Sequence, residues 1–144
     1  MNTTITIPRE LYQFTDEIAL LIVAAKQEGR VFRASNGTME LIKEFRVPTP
    51  RFSDNEAVPQ ARGKQENLAE HKIHAEYLDR FATLFRSLAP TLKPTHIYVF
   101  APAHTADELT VLLKPTFGSL AYATIEGVFT KDAHSDLLKR LKKR

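Results

Sequence analysis

The sequence predicts a single α/β domain, residues 1–144, with a mixed sheet of five or six strands and three helices. The sheet combines an antiparallel meander with βαβ crossovers. Three observations carry this reading. Residues 18–25 and His96–Ala101 are continuous apolar runs of strand length and composition, which suits strands covered on both faces. Asn36-Gly37 lies between two alternating segments and is the strongest short hairpin signal, because both residues accept positive φ. Later stretches carry apolar residues at spacings of three and four, the helical period.

Thr4-Ile5-Thr6-Ile7 alternates and could add an edge strand, while Pro8 could open a short helical turn. The run 18–25 is the first buried strand. Gly29 marks a short turn, residues 30–34 follow as a strand, and residues 38–47 return beyond Asn36-Gly37. From about 48 to 68 neither strand nor helical period is present, and Pro48, Pro50, Pro59 and Gly63 punctuate the stretch. It reads as a long loop, and a connection of about 20 residues in a small domain is normally functional or disordered. With only Phe52 and Val58 as apolar anchors, residues 51–67 are expected to be mobile.

A helix is expected from Asn67 or Ala69, with Ile73, Tyr77, Phe81, Leu84, Phe85 and Leu88 on one face and Pro90 ending it. The strand His96–Ala101 stops at Pro102. Thr105-Ala-Asp-Glu108 has the capping-box pattern, so a second helix should start there, carry Leu109, Leu112 and Leu113, and close at Pro115. Residues 120–129 read as the last strand. Asp132 or Ser135 should cap a final helix bearing Leu137, Leu138 and Leu141. The crossover between the two buried runs predicts that they lie parallel at the centre of the sheet, with the hairpin beside them.

Composition narrows the function classes. With no cysteine, thiolate metal sites and disulfides are excluded, and the composition suits a reducing cytoplasm. The first residues lack the plan of a signal peptide, and the longest apolar run is too short to span a bilayer, so no membrane partner is expected. Twenty Lys and Arg against 17 Asp and Glu give a net charge of +3, which permits a nucleic-acid partner without demanding one.

The distribution of charge is more informative than its sum. Arg46, Arg51, Arg62, Lys64, His71 and Lys72 gather in and after the loop, a grouping suited to phosphate contacts. Asp54, Glu56, Glu66 and Glu70 interleave with them and nearly cancel the charge, so a solvated surface is the plainer reading. The tail Lys139-Arg140-Leu-Lys142-Lys143-Arg144 has no acid and favours a polyanion, although cations also suit a helix C-terminus. His71 and His74 stand three apart on a helix but lack further ligands, and they read as surface histidines with no metal. No Walker loop, dinucleotide fingerprint or nucleophile elbow is present, and no cofactor is implied.

Several residues together resemble a known family. Phe45-Arg46-Val47 leads to Pro50, then to Arg62-Gly63-Lys64-Gln65, then to a charged helix. Ile22-Val23-Ala24, Arg80-Phe81-Ala82, Tyr98-Val-Phe-Ala-Pro102 and Thr130-Lys131-Asp132 add to the pattern. The chain resembles the middle domain of the eukaryotic and archaeal peptide-chain release factors. It is similar also to their stand-alone bacterial relatives, labelled host-attachment or translational-machinery proteins. That resemblance implies a ribosome- or tRNA-associated factor acting in rescue, hibernation or quality control. It implies that Gly63 and Gln65 match the first glycine and the glutamine of a Gly-Gly-Gln loop that hydrolyses the peptidyl-tRNA ester by positioning water. Lys64 stands in place of the second glycine, where it restricts the backbone and could equally hold a phosphate. RNA contacts are then expected from Arg51, Arg62, Lys64, Lys72, Lys139, Arg140, Lys142, Lys143 and Arg144. The competing class is a non-catalytic interaction or attachment module that binds a polyanion or a protein partner.

Overall fold

The computed structural model describes residues 4–48, 59–118 and 120–141, with backbone alone for 59–70 and 121. Six strands form one mixed sheet in the order β1-β4-β3-β2-β5-β6. They are β1 (Thr4–Thr6), β2 (Ala19–Ala25), β3 (Glu28–Ser35), β4 (Thr38–Arg46), β5 (His96–Ala101) and β6 (Ala121–Glu126). The helices are α1 (Pro59–Leu92), α2 (Ala103–Phe117) and α3 (His134–Lys139). The single α/β domain expected from the sequence is therefore present, with β1 as the short edge strand.

β2 is buried at every position, and β5 at all but its first. They pair in parallel from Ala19 opposite His96 to Val23 opposite Phe100, and β5 pairs in parallel with β6. Their unbroken apolar character has its cause here, because helices or loops cover both faces. On one face α1 and α2 bring Ile73, Tyr77, Phe81, Phe85, Leu109 and Leu113 onto Leu20, Ile22, Val31, Ile97 and Val99. On the other, Phe14, Phe129, Leu137 and Leu138 cover Leu21, Val23, Phe32, Tyr98 and Phe100.

The meander closes at two tight turns. Asn36 and Gly37 have φ of 44° and 84°, as the hairpin signal requires. The preceding turn uses Lys26 and Gln27, at 51° and 66°, so it precedes Gly29, which lies inside β3. Gly29 is there for space. A Cβ built on it falls 2.6 Å from Phe81 Cζ and 2.7 Å from Phe45 Cε1 and Cζ. Two aromatic rings thus occupy the volume that any other residue would need.

Helix boundaries differ from expectation in several places. Pro90 lies inside α1, and the helix stops at Leu92 because Lys93 turns left-handed at φ 44°. Pro115 lies inside α2, which runs on to Phe117, where the Gly118 N–H bonds the Lys114 carbonyl. Thr105 is the third residue of α2 and no cap, since the helix begins directly after Pro102 and the Ala106 N–H closes on the Pro102 carbonyl. Neither Asp132 nor Ser135 caps α3. Ala133 holds that place without a side-chain bond, while the Asp132 carboxylate accepts from Arg140.

The largest correction concerns the loop. Residues 49–58, the first part of the expected mobile loop, lie outside the described residues. Residues 59–68 belong to α1. Pro59 suits a first helical position, where its missing N–H is not needed. The stretch after it is free of β-branched residues, so the helix continues through Gly63 at a cost of about 1 kcal/mol relative to alanine.

Candidate nucleic-acid interface

Arg62, Gly63, Lys64 and Gln65 stand in the second turn of α1, not on a loop. At about 100° per residue, Lys64 stands about 200° around the axis from Arg62, and Gly63, Lys64 and Gln65 point in three directions. A helix thus disperses residues that a loop could converge on one atom. The positive-φ freedom of glycine is unused at a helical position.

The helix is long, at 34 residues. At about 1.5 Å per residue, Pro59 lies about 20 Å along the axis from Ile73, the first described side chain of α1 in the core. Lys72 and His71 are exposed beside this anchor. Just downstream the helix is pinned to the sheet: the Tyr77 hydroxyl donates to the Glu28 carbonyl at 2.6 Å. Burial pushes the Tyr77 hydroxyl well above its usual range, so it stays a donor.

A polar clamp joins α1 to α2. Glu108 Oε2 lies 2.7 Å from His74 Nε2 and 3.7 Å from His104 Nε2. His74 is thus an interhelical contact instead of half of a histidine pair with His71. Among the described residues no group of three His, Asp or Glu side chains could hold a metal ion.

The basic end of α3 is partly committed to structure. Arg140 lies 3.4 Å from Asp132 Oδ2, and its Cζ sits 4.5 Å from the centre of the Phe129 ring. Lys139 is exposed, with Asp136 at 4.0 Å. Arg51, Lys142, Lys143 and Arg144 lie outside the described residues. Since α1 and α3 cover opposite faces of the sheet, Lys72 is not gathered with Lys139 and Arg140 into one patch.

Two constellations escape sequence reading. Glu17 accepts from the hydroxyls of Tyr12 and Tyr98 and lies 3.7 Å from His96 Nδ1, tying the N-terminal segment to β5. Burial, and then the bonds with Tyr12 and Glu17, raise the Tyr98 hydroxyl far above its usual range. Arg30 is the second. Its Nη2 donates to the carbonyls of Phe129 and Asp132, at 3.0 and 2.9 Å, across 99 and 102 residues of sequence. The alternation of β3 places Arg30 on one side of the sheet, but no local signal names such distant acceptors.

No protein-family model matches the chain, and no curated protein matches it. Among the described residues no helix is long and apolar enough to cross a membrane.

Proposed function

We propose that this protein is a cytoplasmic, translation-associated factor that binds ribosomal RNA or tRNA through the upstream half of α1, and that it binds without hydrolysing the peptidyl-tRNA ester. The observation that carries the reading is the continuity of α1 from Pro59 to Leu92. It places Arg62, Lys64 and Lys72 along a helix that begins about 20 Å from its first described core anchor. The mixed sheet with a long crossover helix is the architecture that the release-factor resemblance implies. A helical Gly63-Lys64-Gln65 supports phosphate contact in preference to water positioning, because contact needs only charge within reach.

Co-sedimentation with ribosomes across a salt series tests this. The wild-type protein should pellet at low salt. The variant with Arg62→Ala, Lys64→Ala and Lys72→Ala should bind more weakly and with a flatter salt dependence, by about 0.9 of log slope for each phosphate that is no longer engaged. Gln65→Ala should leave binding intact, and neither it nor wild type should release peptide from peptidyl-tRNA. Peptide release by wild type that Gln65→Ala abolishes would restore the hydrolytic reading. Absence of binding to both ribosomes and tRNA at low salt would leave the interaction module in its place.

A further inference from the structure

The cleft beside Arg30 carries a separate inference. Arg30 lies on the α3 side of β3, with its Cζ 5.3 Å from the centre of the Phe32 ring. Two carbonyls take its Nη2, while Nε is buried and has no partner among the described residues. No described carboxylate comes within 4.0 Å of it. Burial is the largest influence on its proton affinity and lowers it, while Glu44, Asp132 and Glu28 act in the opposite sense from a greater distance. A guanidinium held partly out of water against neutral acceptors is costly unless an anion completes its surroundings.

Beside it opens a cleft of about 380 Å³, to which Glu28, Arg30, Glu44, Arg46, Thr130 and Lys131 contribute. Glu28 stands opposite Arg46, and Arg30 opposite Glu44, on neighbouring strands. Even so, none of these four, nor Lys131, has an ion-pair partner within 4.0 Å among the described residues. Cross-strand neighbours of opposite sign that leave one another unpaired have their charge available for a third body. The cleft lies outside the carboxyl ends of the parallel strands, where open α/β sheets bind ligands. The loop from β6 to α3, held down by Arg30, forms one wall.

We propose that this cleft binds the oxyanion group, carboxylate or phosphate, of a small molecule. Arg30, Arg46 and Lys131 supply the positive charge, and the Thr130 hydroxyl supplies a further donor. Glu28 and Glu44 face hydroxyl or amino groups of the same molecule, so a bare anion should bind more weakly than one carrying such donors. The size of the cleft suits a small metabolite. The site is separate from the RNA contacts proposed for α1, and either can fail alone.

Titration of the isotope-labelled protein, followed by backbone amide NMR, tests the assignment. The probes are inorganic phosphate, acetate and glutamate, each at constant ionic strength. Saturable shifts confined to the amides near Gly29, Arg30, Thr130 and Lys131 are expected, from glutamate at lower concentration than acetate if the group is a carboxylate, and from phosphate first if it is a phosphate. Arg46→Ala with Lys131→Ala, both outside the core, should weaken binding about tenfold or more, the loss of one charge-assisted bond. Arg86→Ala with Lys114→Ala, on exposed helix positions elsewhere, should change nothing. Three results would overturn the proposal: no saturable shift with any probe, equal weakening in both double variants, or tight binding of an RNA oligomer to these same amides while every small probe fails.

Discussion

Gly29→Ala is the sharpest test of how α1 is seated on the sheet. The added methyl would lie 2.6 Å from Phe81 Cζ and 2.7 Å from two atoms of Phe45, whereas ordinary contact begins near 3.4 Å. Both rings must therefore retreat by about 1 Å. Phe45 is partly exposed and can swing, but Phe81 is fully buried between Tyr77 and Phe85. Overpacking of this kind costs about 1–3 kcal/mol. Replacing glycine by alanine returns about 0.4–1 kcal/mol through the unfolded chain, since Gly29 has no positive φ to protect. A net loss of about 1–2 kcal/mol follows, which lowers Tm by about 2–8 °C for a chain of this size. Denaturant melts of Gly29→Ala, Phe45→Leu and the double variant would measure it, because trimming the Phe45 ring should relieve part of the clash and give a favourable coupling. Equal or greater stability of Gly29→Ala, with no coupling to Phe45, would show that the two rings do not occupy this space.

Other outcomes follow from particular contacts. Tyr77→Phe should cost about 1 kcal/mol by leaving the Glu28 carbonyl unpaired, and hydrogen exchange should quicken in α1 upstream of residue 77; exchange that quickens evenly over the whole chain would argue against a local pin. His134 is held below its ordinary value of 6.5 by burial and then by the charge of Arg30, so the unfolded chain binds its proton more readily than the native one. Stability from this residue is therefore complete above about 6.5 and falls as pH drops through that value toward the lower native pKa; His134→Gln should flatten the acid limb of stability against pH between about 7.5 and 5, and an unchanged slope would assign the dependence elsewhere. Lys26→Asn should stabilise the protein by up to about 1 kcal/mol, since asparagine tolerates the φ of 51° that lysine resists; a lower melting midpoint would count against the left-handed turn.

Much of the fold is legible in the sequence because its signals are local. The apolar runs of β2 and β5 reflect cover on both faces, and Asn36-Gly37 reflects the twist a two-residue turn must match. Neither depends on distant residues. The alternation of β1 and the stripe of Ile73, Tyr77, Phe81 and Phe85 are readable on the same ground. Expectation and structure part where a residue has more than one local use. Pro59 reads as loop punctuation but opens α1, Pro90 and Pro115 read as stops but lie inside their helices, and Thr105 matches a cap that Pro102 makes unnecessary. Gly29 looks like a turn residue because a glycine that clears room for two rings cannot be told from one that bends the chain. What only tertiary structure decided is the set of contacts between remote segments: Arg30 on the loop after β6, His74 on Glu108, and the separation of the basic residues of α1 from those of α3 by the thickness of the sheet. Local spacing sets the conformation of each segment, whereas the partners of a charged side chain depend on which strands become neighbours, and that follows from burying the whole apolar surface at once.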